Sequence, residues 1–116
     1  MEVTINARKV DPDIDVLELA GRMTLRRENG QIETAVRKLV AAGSSKIILD
    51  LSGVTYVDSS GVGAIAVSFT WAKEGNARLV ASGAEGMVGE IFRLTRVDLL
   101  VPFFPDVSAA AASFNS

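Results

Sequence analysis

The 116-residue chain contains no cysteine and no histidine. Without cysteine there are no disulfides, thiol nucleophiles, thiolate zinc sites or iron–sulfur clusters. Without histidine the usual general base, a Ser-His-Asp triad and most zinc or haem sites are gone as well. An excess of positive charge is also missing. Twelve Lys and Arg face 14 Asp and Glu, for a net charge of −2, so no global basic field exists to hold nucleic acid or an anionic membrane. Long apolar runs are absent too. The longest mostly apolar stretch, Gly61 to Ala72, is 12 residues, against the ~20 a bilayer needs. Met1 to Lys9 lacks the apolar core of a signal segment. The expectation is a cytoplasmic protein with no metal or cofactor of its own and no nucleic-acid or membrane partner. What remains is 48% apolar and 22% charged, with ten Gly and three Pro. That is a globular composition, in one domain spanning residues 1–116.

Val3, Ile5 and Ala7 alternate with Thr4, Asn6 and Arg8, the pattern of a half-buried strand. Asp11-Pro12-Asp13 signals a turn, and Ile14 to Ala20 reads as a second strand ended by Gly21. From Thr24 to Ala42 the period changes: Ile32, Val36, Leu39 and Val40 recur at helical spacing, up to Gly43-Ser44-Ser45. Lys46 to Leu51 is a short apolar run that suits a strand covered on both faces. A loop at Ser52-Gly53 and an extended piece from Val54 to Val57 follow. Next come a helix from Gly61 to about Lys73, a strand from Arg78 to Ser82 and a helix from Ala84 to Leu94 with Met87, Val88, Ile91 and Phe92 inward. Leu99 to Phe103 reads as a last strand. Asp106 then caps a helix with Val107, Ala110, Ala111 and Phe114 on one face. The order β-β-α-β-α-β-α-β-α predicts an α/β fold. Its sheet is mostly parallel, with an antiparallel strand near an edge.

The informative segment is Leu49-Asp50-Leu51-Ser52-Gly53-Val54-Thr55-Tyr56-Val57-Asp58-Ser59-Ser60-Gly61-Val62-Gly63. It sets two hydroxyls beside a carboxylate where a helix begins. One reading is capping, worth about 1 kcal/mol. The other is a helix end that tolerates or uses a phosphate, since free N–H groups and the dipole favour an anion there. Three enzymatic or nucleotide-binding rivals fail. Gly61-Val62-Gly63-Ala64-Ile65-Ala66 matches G-x-G-x-x-A, but about ten residues separate it from Leu51, whereas a dinucleotide fingerprint follows its strand directly. None of Lys9, Lys38, Lys46 and Lys73 follows a Gly, so there is no P-loop. No Lys lies near Ser59 or Ser60 in sequence to serve as a base. Catalysis is not expected.

The helix after this segment carries two apolar stripes. Val62, Ile65, Ala66, Phe69 and Ala72 share the expected core side. Ala64, Val67 and Trp71 form a second stripe, which either another helix of the domain or a partner covers. A second copy of the chain, docking there as a weak homodimer, stays open. Arg22, Arg26 and Arg27 cluster near the first helix, either as a solvated helix start or as a contact for phosphate or an acidic partner. Arg93 and Arg96 suit the negative end of the third helix.

From Ile48-Leu49-Asp50-Leu51 through Val54, Tyr56-Val57-Asp58-Ser59-Ser60-Gly61-Val62-Gly63, the chain resembles the bacterial anti-sigma factor antagonists of the STAS domain family. The likeness extends over nearly the whole chain. It implies a mixed sheet of four or five strands with about four helices. It further implies that Ser59, directly after the Asp, accepts phosphate from an anti-sigma factor that is itself a serine kinase. The unmodified form would bind that kinase and free a sigma factor, the phosphorylated form would let go, and a cognate serine phosphatase would reset it. The kinase would supply the ATP and Mg²⁺. The docking surface would comprise Asp58, Ser60 and Gly61 with Gly63, Val67, Ser68 and Trp71 of the helix. After Gly21 the family often shows an acidic residue, an apolar one and then Asp; here stand Arg22, Met23 and Thr24. Thr24 can hydrogen-bond at that contact position but brings no charge. The alternative reading is a STAS-type interaction module of another signalling or lipid-transport system, docking by the same surface without phosphorylation.

Overall fold

The alternation of the opening segment becomes two antiparallel strands, β1 (Thr4–Val10) and β2 (Ile14–Met23), paired from Val10–Ile14 to Thr4–Ala20. The chain continues through α1 (Arg26–Ala41), β3 (Lys46–Val57), α2 (Ser59–Glu74), β4 (Arg78–Ser82) and α3 (Gly86–Leu94). A 3₁₀ turn at Val97–Leu99, β5 (Phe103–Phe104) and α4 (Val107–Ser113) complete it. This computed structural model describes the backbone of residues 3–24 and 26–115. The five strands lie in the order β1-β2-β3-β4-β5, antiparallel between β1 and β2 and parallel elsewhere. The expected α/β architecture stands: a mixed, mostly parallel sheet, four helices and an antiparallel edge strand.

Side chains alternate across the sheet and feed two cores. Leu17, Leu19, Ile47, Leu49 and Leu79 point to one face, where Ile32 and Val36 of α1, Ile65 of α2 and Val88 and Phe92 of α3 bury them. Ile14, Val16, Ile48 and Val80 point to the other, under Ala110, Ala111 and Phe114 of α4. Burial on both faces explains why β3 begins as an unbroken apolar run. Asp106 caps α4 as expected, its Oδ1 accepting from Ala109 N at 2.8 Å.

Four local expectations are corrected. Ser52-Gly53 is not a loop, because β3 runs through it. Asp50 pairs with Glu18 and Gly53 with Ala20, so three steps on β3 match two on β2; Val54 to Tyr56 then spends two steps on the single step from Gly21 to Arg22. These irregularities bend the strand and increase its twist. At Gly53 a Cβ would stand 2.9 Å from Ala20 Cβ, which is why glycine occupies the tighter of them. Nor does Gly21 end β2. It adopts φ of 100° inside the strand, at the second irregularity, and pairing resumes through Met23. Met87 is not inward but 72% exposed, because α3 starts at Gly86 and turns Val88 and Phe92 to the core. Leu99 to Phe103 is mostly not strand. Val97 and Val101 are its buried contacts, four residues apart, and that spacing makes a turn that leaves Leu99 and Leu100 outside.

Candidate functional site

β3 delivers the chain to Asp58, whose extended backbone (φ −115°, ψ −170°) makes it the N-cap of α2. Its Oδ1 accepts from Ser60 N at 2.9 Å and from Gly61 N at 3.3 Å. The capping reading of the Asp-Ser-Ser-Gly segment therefore holds. Ser60 Oγ lies 2.7 Å from Asp58 Oδ1 and 3.0 Å from the Thr24 carbonyl oxygen. One hydroxyl proton serves one of those acceptors at a time. Asp58 N also donates to Met23 O at 3.3 Å. The end of β2, the end of β3 and the first turn of α2 are thus joined by polar contacts.

Gly61 belongs to this joint. A Cβ there would lie 2.5 Å from Met23 O and 2.5 Å from Val57 Cγ2, so only glycine lets α2 sit this close to the strand ends. It is buried, and its place is inside the packing rather than on a docking surface. Thr24 is half-buried, and its backbone carbonyl makes the contact just described. Ser59 is different. It is exposed at the first position of α2, while the carboxylate beside it is committed to capping.

From Ser59, an i, i+4 ridge runs along α2 through Gly63, Val67 and Trp71. Val67 is 39% and Trp71 37% exposed. The Arg37 guanidinium of α1 lies 4.3 Å from the Trp71 ring centroid, so the neighbouring helix shields part of the indole without burying it. Gly63 is half-buried, and a Cβ there would meet nothing within 4 Å. Structure and sequence part company on Ser68 and Ala64. Ser68 is fully buried, its Oγ unpaired among the described residues, and cannot contribute to a docking surface. Ala64 is 2% exposed and leaves the second stripe. The buried line of α2 is Gly61, Ala64, Ile65, Ser68 and Ala72, while Val62, Ala66 and Phe69 flank it. Small residues form that line because α2 packs on α1 as well as on the sheet, and close approach favours small side chains.

Some neighbours escaped sequence reasoning. Tyr56 is 40% exposed and pairs across the strands with Arg22, whose guanidinium lies 4.6 Å from its ring centroid. A shallow cleft between Thr55, Tyr56 and Val57 of β3 and Met87, Val88 and Ile91 of α3 adjoins them. No local pattern announces a cross-strand cation–π pair; only the β2–β3 register could have found it. The side chains of Arg26 and Arg27 lie outside the described residues. Among the described residues there is no cluster of acidic side chains fit to hold a metal, and no helix is long and apolar enough to cross a membrane.

The arrangement is an exposed hydroxyl on a hydrogen-bonded, closely packed joint, at the head of a partly apolar ridge. Comparison with known proteins bears on the fold that carries it. The chain is similar over 97% of its length, at 20% identity and a TM-score of 0.85, to a proposed anti-sigma factor antagonist from Thermotoga maritima, of which 95% is covered. An anti-sigma factor antagonist from Mycobacterium paratuberculosis matches 99% of this chain and is itself covered to 96%, at 18% identity and a TM-score of 0.86. The Bacillus cell fate determinant SpoIIAA in its phosphorylated form matches 95% of this chain over 99% of its own, at 16% identity and a TM-score of 0.69. Identities this low speak for the fold. The family model of the STAS domain matches residues 6–110. The chain belongs to the STAS domain family.

Proposed function

We propose that this protein is an anti-sigma factor antagonist that works by partner switching. Unmodified, it binds a serine-kinase anti-sigma factor through the Ser59 end of α2 and the ridge beyond, and a sigma factor is released. In the kinase complex Ser59 Oγ attacks the γ-phosphorus of the kinase's ATP. The new O–P bond replaces the bond to ADP, and the hydroxyl proton passes to a base of the kinase. Phosphorylation ends the binding, and a serine phosphatase restores the hydroxyl by hydrolysis.

The observation that carries this reading is the exposure of Ser59 where Asp58 already fills the cap. Phosphate brings about −1.5 to −2 charge. Added at Ser59, it leaves the capping bonds in place and stands beside an existing carboxylate, so the anion projects outward. The fold persists while the surface changes sign. A partner that must then desolvate or face that charge loses roughly 3 kcal/mol, about a hundredfold in affinity. The switch is local electrostatics at a docking surface rather than refolding.

The test is incubation with the serine-kinase anti-sigma factors of the source organism and ATP, followed by mass-spectrometric mapping. Transfer to Ser59, with Ser59→Asp weakening the complex about a hundredfold, supports the reading. No transfer from any kinase, with Ser59→Asp binding as the wild type does, overturns it.

A further inference from the structure

Resting on that reading, we infer that the partner meets this surface with an acidic face, and that Arg22 and Arg37 determine which partner is accepted. The two guanidinia lie near opposite ends of the proposed contact. Arg22 lies over Tyr56 at the joint of β2 and β3, two residues before the Thr24 carbonyl that contacts Ser60. Arg37 lies over Trp71 at the far end of the ridge, about 18 Å along α2 from Ser59 at 1.5 Å per residue. Both arginines are exposed, and neither is in an ion pair among the described residues. Glu33, one turn before Arg37 on α1, is half-buried and outside ion-pair distance of it.

This surface is not a sample of the protein's average charge. The chain carries two more acids than bases, and the ion pairs among the described residues hold Arg8, Lys9, Lys46 and Arg93 elsewhere. A guanidinium on an aromatic face keeps its N–H edges directed outward and is weakly hydrated. It therefore suits a carboxylate arriving from a partner. Gly63 lies between the two pairs and leaves open space where any other residue would put a Cβ, so a partner backbone can approach there. The sign of the switch follows. A surface that attracts carboxylates repels them at its Ser59 end once a phosphate stands there, next to the Arg22 side of the contact.

Calorimetric titration of this protein against the serine-kinase anti-sigma factors of its source organism tests the inference. Arg22→Glu and Arg37→Glu are each expected to weaken binding roughly tenfold, the equivalent of about 1.4 kcal/mol. Lys38→Glu makes the same change in net charge one residue away from Arg37 and is expected to bind as the wild type does. Raising the salt from about 0.05 to 0.5 M is expected to weaken the wild-type complex, because it shortens the screening length. If the wild type binds and Ser59→Asp does not, yet both arginine variants bind unchanged, the acidic-face inference is overturned and the switch reading survives. If Lys38→Glu loses as much affinity as the arginine variants, a general field replaces the specific contact, which also overturns it. If no such kinase binds the wild type, both fall.

Discussion

Gly61 and Gly63 sit two residues apart in the same helix, and replacing each by alanine should move stability in opposite directions. In a helix interior, glycine costs about 1 kcal/mol relative to alanine, because it gives up more backbone freedom on folding. At Gly63 the added methyl meets nothing within 4 Å. It neither clashes nor packs, so Gly63→Ala should return most of that ~1 kcal/mol as stability. For a domain of this size the melting temperature should rise by about 4 °C. At Gly61 the same methyl would stand 2.5 Å from the Met23 carbonyl oxygen. Backbone cannot rotate away as a side chain can. The first turn of α2 must lift from the strand ends, which disturbs the contacts of Asp58 N with Met23 O and of Ser60 Oγ with Thr24 O. Overpacking of this kind costs about 1–3 kcal/mol, so the propensity gain is outweighed. Urea and thermal unfolding followed by circular dichroism measure both variants. A destabilised Gly63→Ala, or a Gly61→Ala as stable as wild type, would refute the argument. If Gly63 is kept for partner approach, the stabilised variant should also bind its partner more weakly.

Other outcomes are within reach of the same methods. Asp58→Ala removes an acceptor shared by Ser60 N, Gly61 N and Ser60 Oγ; it should cost about 1–2 kcal/mol in urea unfolding. Loss below about 0.5 kcal/mol would mean that water replaces the cap. Phe92 is 1% exposed, with its ring centroid 5.1 Å from that of Phe103; Phe92→Ala should cost about 3–5 kcal/mol and leave a measurably less cooperative domain. Asp13 is exposed, and the hydrogen bond from Lys46 at 3.0 Å holds its carboxyl below the usual carboxylate range. Its contribution to stability is therefore complete above the unfolded carboxylate pKa and fades as the pH falls through the lower folded value. Carbon-detected NMR titration should find that low midpoint in the wild type and an ordinary one in Lys46→Gln. Equal midpoints in the two proteins would remove Lys46 as the cause.

Much of this was legible along the chain because it depends on near neighbours. Alternation at Val3, Ile5 and Ala7 makes a strand whatever lies beside it, and the spacing of Asp58 to Ser60 and Gly61 places a carboxylate over the N–H groups of a starting helix. Likewise Asp106 stands where it must to cap Ala109. The element order, the mixed sheet and the place of Ser59 at a helix start all follow from such short-range rules. Rotation of a helix about its own axis does not. Hydrophobicity alone turned Val62 and Phe69 inward and left Ala64 and Ser68 outside, but α2 packs on α1 as well as on the sheet, and small residues form its buried line. Met87 is on the surface for a different reason: α3 starts at Gly86, and Val88 and Phe92 take its core side. Register was equally hidden. Two extra residues in β3 bring Tyr56 beside Arg22, and nothing within either strand states that count. The sequence by itself determined the order of most elements and the Asp58-capped helix start beside Ser59, because those arise from contacts a few residues long. Only the tertiary structure decided which faces were left open and which cations bordered them, because those depend on residues tens of positions apart meeting at a distance the chain does not encode locally.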